Sequence, residues 1–301
     1  MAQFSEIEES KATPEIQQIF RDVQLALRFS DVPWLFRMLA SHPGFLKIAW
    51  TAIKPTITDF FESSADQIRS HAISKINSSL SGNNLRAGLK KIMLKEDEIN
   101  AISENILAYH FVHPKLLLMT TALKDSLAEK PVGVTSIVVR PTGRGVPVGI
   151  PRIKRVDVGS ATGKAKVALG ESAKLQSLPV NSDLMLTLGQ WPDALGTLWD
   201  NLKIAIQSNK YASLLEETSQ SATEGVQHLR RRIDLGREEL ALVGINEAER
   251  LEIIANVTAA QTYYLKSLLD SAYLSLSLAG PEASAMSGEA MLIRWALPRR
   301  S

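Results

Sequence analysis

The chain contains no cysteine, which removes disulfide bridges, a thiolate nucleophile, Cys-bound zinc and a CxxC redox pair together. It has no uninterrupted apolar run approaching the roughly 20 residues a membrane-spanning helix needs. The N-terminal stretch MAQFSEIEESKATPEIQQ carries acids from Glu6 onward and no apolar segment behind a basic one. No secretory signal is read there, and a cytoplasmic location is expected. Charge of one sign is not in surplus either: 34 Lys and Arg stand against 32 Asp and Glu, a balance with no general pull toward nucleic acid. A GxSxG elbow, a GxxxxGK[ST] phosphate loop, a GxGxxG turn and an HExxH pair are all missing, so serine-hydrolase, nucleotide and zinc-protease chemistry are disfavoured. Neither a metal nor a cofactor is expected.

What is present is a globular composition, 45% hydrophobic and 22% charged over 301 residues, enough for two small domains or one domain of two similar halves. Helical period dominates. Pro14-Glu15-Ile16 opens a run in which Ile16, Ile19, Phe20, Val23 and Leu27 recur at three and four, with Thr13 or Pro14 at the start. Trp34, Leu35, Met38 and Leu39 begin a second helix, and Pro43 begins a third carrying Phe45, Leu46, Ala49, Trp50 and Ile53. Periodic apolar residues continue over 63–80 and 85–128, interrupted at 81–84 and at Pro114.

Residues 129–180 differ. Pro131, Gly133, Pro141, Gly143, Gly145, Pro147, Gly149, Pro151, Gly159 and Gly163 break the period, so this stretch reads as a linker or a lid, with short strands at Ile137–Val139 and Lys164–Val167. Helices resume from Ser182 to Gly280 and a last apolar cluster (Met291, Leu292, Ile293, Trp295) docks on the core. The expectation is an all-α fold: a first helical repeat over 1–128, a linker or lid over 129–180, and a second repeat with a tail over 181–301.

The repeat itself comes from comparing the chain with itself at an offset of 149. Residues 32–57 then lie over 181–206 without a gap, pairing Leu35 with Leu184, Leu39 with Leu188, Pro43 with Pro192, Leu46 with Leu195, Trp50 with Trp199, Lys54 with Lys203 and Ile57 with Ile206. Two halves of about 130 residues would pack face to face and leave a small-molecule cleft between them. At one place the halves differ chemically. Pro33-Trp34 lies over Ser182-Asp183, a large ring against a carboxylate, and this nominates Trp34 and Asp183.

Asn181-Ser182-Asp183 is also an ordinary helix start, three acceptors ahead of an apolar helix. An Asp there could serve both ends, since the positive end of a helix attracts a substrate carboxylate too. His110 and His113, three apart, share a helical face; they are either a satisfied buried pair or a source of one proton-handling imidazole. Arg140, Arg144, Arg152, Lys154 and Arg155 form a run without an acid, which is a solvated loop or a means of drawing an anion toward the cleft.

At HPGFLKIAW (42–50), HPKLLLMTTAL (113–123) followed by KPVG (130–133), and SDLMLTLGQWP (182–192), the chain resembles the DehI family, the group I 2-haloacid dehalogenases. The resemblance runs along most of the chain. It implies an AhpD-like all-α fold of two pseudo-repeats, a homodimer, and cofactor-independent hydrolysis of short 2-haloalkanoic acids to 2-hydroxy acids of inverted configuration, with water consumed and halide released. The family's Ser-Asp motif falls on Ser182 and Asp183. Asp183 would be the general base that deprotonates the attacking water, and a free carboxyl near pKa 3.9 would need an apolar pocket to raise it.

Other positions depart from the family pattern. Its water-holding Asn falls on His113, which makes a His113–Asp183 pair conceivable. Two aromatic pocket residues fall on Asp31 and Trp34, and a Tyr falls on Ala260. Asp31 would oppose an anionic substrate unless it turned outward or met a cation, and Ala260 would enlarge the pocket. The alternatives that follow are a diverged hydrolase or lyase of a bulkier substrate and a non-catalytic small-molecule binding protein.

Overall fold

The computed structural model describes residues 4–80, 84–130, 132–135, 140 and 142–297. Fourteen α-helices occur among these residues. The first six are α1 (Pro14–Leu27), α2 (Trp34–Leu39), α3 (Pro43–Ile53), α4 (Asp59–Ser79), α5 (Leu85–Lys91) and α6 (Glu96–Leu127). The next six are α7 (Gly163–Leu175), α8 (Asp183–Leu188), α9 (Pro192–Ile206), α10 (Asn209–Gln227), α11 (Arg237–Leu242) and α12 (Glu247–Ala279), with α13 (Pro281–Ser284) and α14 (Gly288–Ala296) at the end. No helix among the described residues is long and apolar enough to cross a membrane.

Helix starts follow local chemistry. The Thr13 hydroxyl accepts from Ile16 N ahead of Pro14, whose fixed φ suits the first turn of α1. The Asn246 side chain accepts from Glu249 N to open α12, and Glu98 closes back on Lys95 N at the start of α6. Gly280, at φ 86, releases the chain from α12 and Pro281 prevents its continuation.

The core is the pair α6–α12. Every residue from Ile102 to Leu123 and from Ser267 to Leu278 is buried, so these stretches are covered on all sides and carry little amphipathic signal. Around them α4 packs on α6, α10 and α12, α7 packs on α9, and α5 reaches α9 and α12. Helix lengths recur in order, 14, 6, 11, 21, 7 and 32 residues for α1–α6 against 13, 6, 15, 19, 6 and 33 for α7–α12. One contact recurs as well. Trp50 Nε1 and Lys54 Nζ meet Asp22, while Trp199 Nε1 and Lys203 Nζ meet Glu171.

Two expectations need correcting. Lys164–Val167 is not a strand: it lies in α7, where Ala165, Ala168 and Leu169 supply a small buried face. Pro114 does not interrupt α6, because tertiary packing on both sides holds the turn that its missing N–H leaves open. The strand expected at Ile137–Val139 lies outside the described residues.

Gly133 has a conformation that no other residue fits. Its φ is +71, and a Cβ there would sit 2.4 Å from Arg231 O and 2.9 Å from Leu229 O. The flanking chain is pinned by Val134 N to Leu229 O and Ile233 N to Val132 O. Gly133→Ala should therefore lower unfolding free energy by about 2–4 kcal/mol, the sum of left-handed strain and overpacking against backbone. A urea titration showing a shift below about 1 kcal/mol would count against this account.

Candidate active site

The site is built where two short helices begin opposite each other. Ser182 is the N-cap of α8, its Oγ accepting from Met185 N at 3.2 Å. That leaves Asp183, the first residue of α8, free to send its carboxylate to the start of α2. There Oδ2 accepts from Trp34 N at 3.1 Å, so the carboxylate caps α2 from a distant part of the chain. The two residues superposed by the 149-residue offset thus meet directly.

Two arginines complete the clamp. Arg37 Nη2 donates to Asp183 Oδ1 at 2.8 Å and Nη1 to Oδ2 at 3.3 Å, while Arg155 Nη1 reaches Oδ1 at 3.3 Å. With Trp34 N this fills the roughly four lone-pair sites of a carboxylate. The expectation that the pocket raises the Asp183 pKa is therefore overturned. Burial does push it upward, but Arg37 and then Arg155 outweigh burial and hold the carboxyl below its usual range.

Both arginines carry further acids. Arg37 Nε meets Glu6 at 3.0 Å and Glu8 at 3.7 Å; its Nη1 also donates to Val32 O. Arg155 Nη2 meets Glu8 at 3.0 Å and Nε approaches Asp31 at 3.4 Å. Asp31 is thus not a bare opposing charge, since it faces a cation. Burial still pushes its carboxyl up to about 6, against Arg155 and Arg37 and with help from Asp183.

Three tyrosines fix the main chain around Asp183. Tyr109 Oη donates to Asp183 O at 3.1 Å and pairs with Thr187 Oγ1 at 2.8 Å. Tyr263 Oη accepts from Asp183 N at 2.6 Å, and Tyr264 Oη accepts from Leu35 N at 2.8 Å. Burial, reinforced by the Asp183 charge, raises all three phenols well above their ordinary value, so they remain neutral. Tyr263 also stacks on Trp34, centroid to centroid 4.6 Å, with Phe4 on Trp34 at 6.0 Å. The Trp34 indole Nε1 is buried and has no hydrogen-bond partner.

Further expected positions divide. Ala260 is fully buried, and Tyr263 and Tyr264, on the next turn of α12, bring aromatic rings to the start of α8 and α2. His110 does not face Asp183, because its Nε2 pairs with Ser284 O of α13 at 3.1 Å. His113 stands nearer, its ring 5.3 Å from that of Tyr109 and 6.2 Å from that of Tyr264. Its Nδ1, however, pairs with Ser271 Oγ at 3.0 Å rather than with Asp183. Burial pulls the His113 pKa down to about 3, against the Asp183 charge, so the imidazole is neutral.

Arg37, Tyr109, Tyr263, Tyr264, Glu6 and Glu8 were missed in the sequence. One signal for Arg37 was available: a guanidinium inside the apolar run Trp34–Leu39 is tolerated in a buried helix only if a carboxylate from elsewhere meets it.

Comparison with known proteins agrees with this architecture. The family model described as "Halocarboxylic acid dehydrogenase DehI" matches residues 31–172. A "2-haloacid dehalogenase, configuration-inverting" of Alcaligenes xylosoxydans xylosoxydans is 26% identical over 95% of this chain and 97% of its own length. An "(R)-2-haloacid dehalogenase" of Pseudomonas putida is 24% identical over 85% and 86%. Among solved structures, a D-2-haloacid dehalogenase in complex with L-LA superposes with a TM-score of 0.85 at 20% identity, over 91% of this chain and 95% of that one. A mutant D-2-haloacid dehalogenase with D-2-CPA superposes at 0.82 over the same shares. Over residues 31–172 the chain matches the DehI family, and over nearly its full length it is similar to a configuration-inverting 2-haloacid dehalogenase.

Proposed function

We propose that the protein is a hydrolytic 2-haloacid dehalogenase in which Asp183 activates water. The observation that carries this reading is the Asp183 carboxylate, buried and presented by α8 to the start of α2, in a chain similar over nearly its full length to a protein named a configuration-inverting 2-haloacid dehalogenase. In the reaction, water oxygen attacks C2 on the face opposite the halogen and the C–halogen bond breaks with its electron pair leaving on the halide. Asp183 takes the water proton. The product is a 2-hydroxy acid of inverted configuration.

Trp34 and His113 suit this sequence of events, whereas Asp183, its lone pairs filled and its pKa lowered, can take the proton only once one of its donors withdraws. The unpartnered Trp34 Nε1–H is a buried donor available to the departing halide. The neutral His113, oriented by Ser271, can hold the water without competing for its proton. Ser182 fixes the helix start that aims Asp183.

Direct attack by water is tested by isotope. With enzyme in excess over (R)- or (S)-2-chloropropionate in H2(18)O, the lactate formed should carry 18O in its new hydroxyl from the first turnover. Unlabelled lactate with 18O left in Asp183 would instead show that the carboxylate attacks carbon itself and forms an ester.

Two related halves, a homodimeric assembly and a cytoplasmic location belong to the same proposal. The first is supported by the recurring order of helix lengths and by the matched Trp50–Asp22–Lys54 and Trp199–Glu171–Lys203 contacts.

A further inference from the structure

We propose that Arg155 is the receptor for the substrate's carboxylate, and that Glu8, with Glu6 beside it, stands where that carboxylate docks. This deepens the haloacid reading and rests on it. Arg155 is the member of the clamp that outside molecules can reach. Its side chain is 16% exposed against 2% for Arg37. Two cavities of about 500 and about 440 Å3 meet there, both lined by Glu8, Asp31 and Arg155.

Charge decides what can enter. Four carboxylates, of Asp183, Asp31, Glu6 and Glu8, already surround two guanidinium groups. A fifth would be repelled unless one left. Glu8 is the one able to leave: its side chain is 43% exposed, the highest of the four. Exchanging it for a substrate carboxylate replaces one Arg–carboxylate pair by another of equal charge.

The exchange also frees the base. Arg155 Nη1 occupies Asp183 Oδ1. A guanidinium that turns its planar fork onto a substrate carboxylate gives up that bond, and the lone pair it releases is where the attacking water would donate. Substrate docking and activation of Asp183 then become one movement.

The test measures KM for halide release from (R)- and (S)-2-chloropropionate, with binding of 2-chloropropionamide as the uncharged counterpart. Arg155→Gln should raise KM for the acid by about tenfold or more, the weight of one charge-assisted hydrogen bond, and leave amide binding unchanged, with Arg155→Lys in between. Glu8→Gln should act in the opposite direction and lower KM about threefold, the order of one exposed ion pair. Equal losses for acid and amide in Arg155→Gln, or an unchanged KM in both Arg155→Gln and Glu8→Gln, would overturn the assignment while leaving the dehalogenase reading intact. Failure of the wild-type protein to bind or turn over either acid would overturn both.

Discussion

Asp183→Asn should abolish halide release from 2-chloropropionate, with kcat falling by about 10²–10⁴, the usual contribution of a positioned general base. The effect should fall on kcat rather than KM, because the lost group carries the same charge as the substrate. Folding should survive. The α8 cap is Ser182, not Asp183, and an Asn side chain can still accept from Arg37 through its oxygen. The cost is an amide NH2 set among the donors that now converge on the carboxylate, namely Trp34 N, Arg37 and Arg155, worth about 1–3 kcal/mol. Retained helical circular dichroism and a modestly lower urea midpoint, beside lost turnover, would fit this account. Activity within about tenfold of wild type would remove Asp183 from the role of base, since general-base catalysis contributes far more than that. His113 would then be the nearest alternative.

The largest expected effect on stability lies elsewhere, at Glu62 and Lys115. Lys115 is wholly buried in the middle of α6, its ammonium 3.0 and 2.8 Å from the two Glu62 oxygens and 3.8 Å from the centre of the Phe111 ring. Arg28 lies 3.9 Å from the same carboxylate. Glu62→Gln strands the ammonium beside Arg28 and Arg69 and should cost about 3–5 kcal/mol, the usual penalty for removing one partner of a buried pair. The 17% exposure of Glu62 favours the lower end. Glu62→Gln with Lys115→Met should recover most of that loss, because the charge needing compensation is gone. Equilibrium urea unfolding of both variants separates the cases. A single variant no less stable than the double would mean that water or Phe111 solvates Lys115 adequately.

Much of the framework was legible because helix starts are local. Thr13-Pro14, His42-Pro43, Asn181-Ser182 and Trp191-Pro192 mark helix starts within a few residues of α1, α3, α8 and α9, and the offset of 149 places Trp34 over Asp183 before either is seen in space. What stayed hidden depends on distance along the chain. Arg37 and Arg155 come from separate places to one carboxylate, and no local pattern ties them together. α7 was obscured for a different reason: Gly163 and Gly170 lower its helical propensity, and packing of Ala165, Ala168 and Leu169 overrides that. Tyr263 and Tyr264 were hidden as Arg37 and Arg155 were, since only the fold brings their hydroxyls to Asp183 N and Leu35 N.

The filled shell of Asp183 also bears on how such an enzyme can evolve. Every hydrogen bond that secures the carboxylate in this arrangement is one that proton transfer must loosen. Heat tolerance and turnover therefore draw on the same four contacts in opposite directions. Lineages selected for persistence would tighten the arginine clamp and slow down, and those selected for speed would loosen it at the expense of the contact between α2 and α8.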